Sequence, residues 1–142
     1  MKVRLRAMVM LLAGACHSGQ TAGVPGDAGD TTPFHEIAAD EVIRFAGTEP
    51  FWGGQVAGTS LTYTAPDNLD GSVITVERFA GRGGLSFSGR LDGRTFDLAI
   101  TPGDCTDGMS DRTYPLVATL QLGSEQRNGC AWRDSDDLGP QP

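Results

Sequence analysis

The sequence predicts an all-β domain, a small antiparallel meander closed as a barrel or half-barrel, with a two-layer β-sandwich as the alternative. Three observations predict it. Short segments alternate apolar and polar residues with period two, as half-buried strands do. Glycine and proline, 20 and 8 in 142 residues, separate those segments in clusters that read as turns. No helix of ordinary length lies between them, which argues against β-α-β units and a parallel sheet.

The elements follow in chain order. "MKVRLRAMVMLLAGAC" places Lys2, Arg4 and Arg6 before an apolar run that is too short to span a bilayer, then small residues. That layout predicts a signal peptide over residues 1–15. "AGAC" resembles a bacterial lipobox and makes Cys16 the lipidation site; ordinary cleavage after "AGA" is the alternative. Residues 16–35 are polar and rich in Gly, Pro and Thr, a composition that forms a flexible tether. A compact β domain is expected over 36–134. It opens on one or two helical turns in "FHEIAADE", anchored by Ile37 and Val42.

"VIRFAG" is the first strand. "GQVAGTSLTYTAP" alternates around Val56, Leu61 and Tyr63 and stops at Pro66, and "DNLDGS" is a turn. "VITVERF" follows, with Ile74, Val76 and Arg78 on the better core face and Arg78 near its edge. In "LSFSGRL" the residues Leu85, Phe87 and Leu91 face inward, and Gly89 suggests a bulge. "DGR" is a tight hairpin turn, after which Phe96, Leu98 and Ile100 return along the core. "LVATLQLG" puts Leu116, Ala118, Leu120 and Leu122 on one parity. "EQRNGCAW" is the last strand, and 135–142 is expected to be a frayed acidic tail.

Charge bounds the partners. After removal of the leader the chain keeps all 18 acids and eight arginines, about −10 in balance, and has no lysine. A nucleic-acid footprint needs a basic patch, so no nucleic-acid partner is expected. The lipid, not charge, must hold the chain to a membrane. His17 in place of Asp after Cys16 points to the outer membrane, on its periplasmic side; a soluble periplasmic or secreted form is the alternative.

The densest chemistry lies in "GDCTDGMSDRTYP", 103–115. With Cys16 lipidated, the only mate left for Cys105 after export is Cys130, and a disulfide is expected. A reactive thiol is the rival, but His17 and His35 lie in the tether. Asp104, Asp107 and Asp111 offer hard oxygen ligands, yet their spacing is not that of an EF-hand, and aspartate beside glycine is what turns use. No metal site and no cofactor are expected. Tyr114, extended before Pro115, is read as packed with its hydroxyl bonded, or as lining a pocket mouth.

A second stretch, "FAGTEPFWGGQV" at 45–56, sets Phe51 and Trp52 on opposite faces. One enters the core and the other needs a cover, an element or a ligand. Glu49 is a candidate partner for Arg112, which would bring the two stretches into contact. Phe51, Trp52, Glu49, Asp107, Met109, Asp111, Arg112 and Tyr114 together form the candidate binding surface. No G-x-S-x-G, H-E-x-x-H, P-loop or dinucleotide motif is present, and without lysine a Schiff base is excluded.

"GTEPFW", "LTYTAP", "LDGRTFDLAITPGDCTDGMSDRTYP" and "GCA", taken together, resemble a family of bacterial envelope proteins, many of them lipoproteins and some labelled predicted membrane proteins. The resemblance spans about 43–132. It implies that Glu49, Pro50, Phe51, Trp52, Cys105, Gly108, Met109, Ser110, Asp111 and Cys130 carry the family pattern. It implies export and a compact domain, and it brings no established activity. The expectation is a monomeric, non-enzymatic envelope lipoprotein whose β domain binds an envelope protein, glycan or small ligand. A structural or stress role without a ligand, and a hydrolase using Asp and Glu from the 47–52 and 104–111 loops, are the alternatives.

Overall fold

The computed structural model describes residue 29 and residues 31–139. The leader, Cys16, most of the tether and the last three residues lie outside the described residues. Eight strands follow one another: β1 (Ile43–Thr48), β2 (Phe51–Ala57), β3 (Ser60–Ala65), β4 (Asn68–Ala80), β5 (Leu85–Leu91), β6 (Arg94–Thr106), β7 (Thr113–Leu122) and β8 (Glu125–Arg133). Each pairs antiparallel with the next, and β1 pairs with β8, with Phe45 opposite Ala131. The meander therefore closes on itself as a barrel, and the sandwich and half-barrel alternatives fall away.

An eight-stranded barrel leaves an interior that side chains can fill. Here alternate residues fill it: Ile43 and Phe45 from β1, Val56 from β2, Leu61 from β3, Phe87 from β5, Phe96 and Leu98 from β6, Leu120 from β7, all fully buried. Tyr63 stacks edge-on against Phe96 and receives a hydrogen bond from Arg127 Nη1 at 2.6 Å. Burial raises the Tyr63 phenol above its ordinary value, against the pull of Arg127. The hairpin of β5 and β6 forms as its alternation predicts. Its turn is Asp92–Gly93, both at positive φ (51° and 76°), the geometry that two-residue hairpins favour.

Several expectations are corrected. Among the described residues no helix precedes β1, only a single turn closed by the Glu41 N–H on Ala38 O at 3.2 Å; Phe34 and Ile37 pack on the core, the Phe34 N–H bonds to Gly81 O, and Arg78 reaches Ile37 O at 2.9 Å. The domain thus begins inside the stretch read as tether. "DNLDGS" is not a turn: Pro66 and Asp67 suffice, and Asn68 already belongs to β4. The turn-forming residues are used within the strand, where the register shifts between Tyr63 and Ala65. There Asn68 Oδ1 accepts the Gly71 N–H and Gly71 adopts φ 85°. Gly89 makes no bulge; its pairing with Val76 and Phe96 is regular. After β8, Asp136 accepts from Arg133 N–H and Nε, so the start of the acidic tail is tied down rather than frayed.

The largest correction concerns the loop expected at 104–111: β6 continues to Thr106 and β7 starts at Thr113, leaving only 107–112 as loop. Proline and glycine at 102 and 103 mark a register shift, after which pairing resumes with Cys105 opposite Tyr114. The shift carries the hairpin tip across the outer face of β8. There the disulfide Cys105–Cys130 holds it, with the Cα atoms 5.5 Å apart. Cys130 has the outward parity of β8 and is nevertheless buried, because the tip covers it.

On the chain-entropy account, a crosslink closing 25 residues stabilises by about 3.5 kcal/mol. Urea unfolding of the reduced protein, or of a Cys105→Ser, Cys130→Ser double variant, is expected to show a loss of about that size. A loss well under 1 kcal/mol would mean that the bridge constrains little.

Candidate functional site

The site begins with a choice of face in β2. Trp52 turns inward and is 4% exposed, while Phe51 turns outward and is 57% exposed. The indole needs room, and Gly47 supplies it: a Cβ there would collide with the Trp52 ring. Gly129 lets β8 approach β1, since a Cβ on it would strike the Ala46 carbonyl. Phe45 packs against the indole with ring centroids 5.7 Å apart. The indole N–H has no hydrogen-bond partner. Phe51 follows the turn that holds the cis Glu49–Pro50 peptide.

The second half is the hairpin tip. Asp107 organises it: Oδ1 accepts the Ser110 N–H at 2.8 Å and the Met109 N–H at 2.9 Å. Oδ2 accepts the Ser110 hydroxyl at 3.0 Å and the Tyr114 hydroxyl at 3.2 Å. Hydrogen bonds from the Ser110 and Met109 backbone, then from the Ser110 and Tyr114 side chains, pull the Asp107 carboxyl down from 3.8 to about 2. The turn reading of this aspartate therefore holds, as does the reading of Tyr114 as packed and hydrogen-bonded. Tyr114 lies against Trp132 with centroids 5.0 Å apart. Among the described residues no cluster of His, Cys, Asp or Glu is placed to hold a metal ion.

These two halves meet. A groove of about 430 Å³ runs between the β1–β2 hairpin and the tip, lined by Phe51, Trp52, Asp107, Met109, Tyr114 and Trp132 among others. It adjoins a wider groove of about 670 Å³ on the outer face of β1 to β3. The two share Ala46, Phe51, Trp52 and Trp132. Gly53 and Gly54 belong to the lining of the wider groove. Gly54 has φ 153°, and a Cβ there would collide with the Thr62 carbonyl. Leu69, 80% exposed, and Arg44 stand at its margins.

Five of the eight residues expected at a binding surface thus come together: Phe51, Trp52, Asp107, Met109 and Tyr114. Glu49 and Asp111 are exposed and Arg112 is half-buried, and none of the three lines either groove. No ion pair joins Glu49 to Arg112 among the described residues. Arg112 Nη2 donates instead to Gly139 O at 3.0 Å, so the two stretches meet through apolar side chains, not through a charge pair. Trp132 was not expected in the site. Its signal was parity: it shares the outward face of β8 with Cys130.

The chain matches no family model, no curated protein and no solved structure.

The depressed Asp107 pKa gives a pH test. The ionised carboxylate stabilises the tip fully above its unfolded value near 3.8, and that contribution is lost as pH falls towards about 2. Carboxyl-carbon NMR is expected to place the Asp107 midpoint near 2. Asp107→Asn should remove that part of the acid dependence. A midpoint near 4 would mean that the carboxylate does not hold the tip.

Proposed function

We propose that the chain is an exported, lipid-anchored binding module of the cell envelope, in which a rigid barrel presents the aromatic grooves to a ligand or partner. The observation that carries this reading is the convergence just described. Two stretches more than 50 residues apart place Phe51 and Met109, 57% and 70% exposed, at one groove. Exposed apolar side chains are ordinary when scattered; gathered at a concave, pre-formed site they mark recognition. The leader, the lipobox at Cys16 and the resemblance to envelope lipoproteins support the location. The acidic balance of the chain favours a neutral or basic partner.

The hydrolase alternative gains nothing from the site. A general acid needs a raised carboxyl pKa. Asp107, the acid in the groove lining, is pushed the other way by its four donors.

The test has two arms. Lipidation at Cys16 predicts that the mature protein carries a diacylglycerol mass and fractionates with membranes, and that Cys16→Ser moves it to the soluble fraction. A soluble wild type would contradict the anchor. A photo-crosslinking side chain at Phe51 or Met109, in intact cells of the source organism, is expected to give a discrete adduct. One at Phe79, equally exposed but outside both groove linings, should not. The same adducts from all three positions, or none from Phe51 and Met109, would overturn the groove as the binding site.

A further inference from the structure

The smaller groove has a definite chemical character, and the inference drawn from it rests on the reading of that groove as the binding site. We propose that it is a site for an organic cation, an alkylated ammonium group held against the aromatic walls. The aromatic walls are Phe51 and Trp132, with Tyr114 packed against Trp132, and Met109 stands at the lip. Aromatic faces carry negative electrostatic potential and attract a cation placed over them, most strongly for tryptophan. The thioether of Met109 is polarizable and adapts to such a guest.

Charge selects the sign of the guest. Asp107 is the one charged residue in this lining, and no Lys, Arg or His belongs to it. Its carboxylate is fixed in place by hydrogen bonds from four donors, so its charge is present at the groove without the cost of ordering a side chain on binding. The wider groove is lined by Arg44, whose charge is paired with Asp134 at 2.6 Å. The chain as a whole carries a net charge of −7, which raises the local concentration of cations. An anion would meet the Asp107 charge with no positive group in the lining to offset it. A neutral apolar guest would gain burial but no electrostatic term.

Choline and 3,3-dimethylbutan-1-ol separate these cases, because they have the same shape and differ in charge. Each is titrated into the full chain in detergent at low ionic strength. Tryptophan fluorescence is followed together with the methyl resonance of Met109, the sole methionine after residue 10. Choline is expected to give a saturable response, and the neutral alcohol to bind about tenfold more weakly or worse. Added salt should weaken choline and leave the alcohol unchanged. Met109→Lys, a change at an exposed side chain that leaves the fold alone, should abolish the choline response seen by fluorescence. Asp107→Asn, which keeps an oxygen acceptor for the tip, should weaken choline several-fold.

Equal affinity for choline and the alcohol would overturn the cation site, as would choline binding unaffected by Met109→Lys, or no saturable response to choline. None of these outcomes bears on the crosslinking contrast between Phe51 and Phe79. The cation site can therefore fail while the groove reading stands.

Discussion

The disulfide between Cys105 and Cys130 is the constraint on which the candidate site depends. A barrel of eight strands is closed by backbone pairing and needs no crosslink to exist: β1 and β8 complete the ladder, and the core fills it. What the bridge adds is position. Beyond the register shift at Pro102, the end of the β6–β7 hairpin no longer belongs to the barrel wall. Its short ladder, Cys105 with Tyr114 and Thr106 with Thr113, would be marginal alone. Tied to the outer face of β8, it becomes one wall of a groove whose other wall is the β1–β2 hairpin.

The rest of the site follows from that placement. With the tip held over β8, Tyr114 meets Trp132 and its hydroxyl meets Asp107. Asp107 in turn gathers the backbone of Met109 and Ser110, which sets Met109 at the lip. The aspartate that looks like a metal ligand or an acid catalyst in the sequence is thus spent on structure, and what it leaves at the groove is fixed negative charge. On the opposite wall a glycine matters as much as the aromatics. Gly47 clears the space for the Trp52 indole, and the indole within forces Phe51 to the outside.

How far the sequence discloses this depends on the range of the physics involved. Strict alternation in Leu85 to Ile100 is a local signal, so the β5–β6 hairpin and its Asp92–Gly93 turn were legible. The disulfide followed from counting thiols, and the split between Phe51 and Trp52 from the two-residue period. The start of β4 was not legible because Asn68 and Gly71 are turn residues by type and serve a bulge here. The length of β6 was hidden because Pro102 and Gly103 look like the end of a strand. Trp132 was missed for a different reason. Its meeting with Tyr114 exists only after the hairpin folds across β8, a long-range event with no local signature. The expected Glu49–Arg112 pair failed on the same ground, since opposite charges in two loops say nothing of which backbone carbonyl lies closer.

Native-state hydrogen exchange of the oxidised and reduced protein reads how firmly the bridge holds the tip. Reduction is expected to speed exchange selectively in residues 103–114, while amides of the Phe96 to Ile100 ladder stay slow. If the tip stayed as protected without the bridge as with it, or if both thiols were free in the folded, exported protein, the groove would owe nothing to the crosslink and the account would be contradicted.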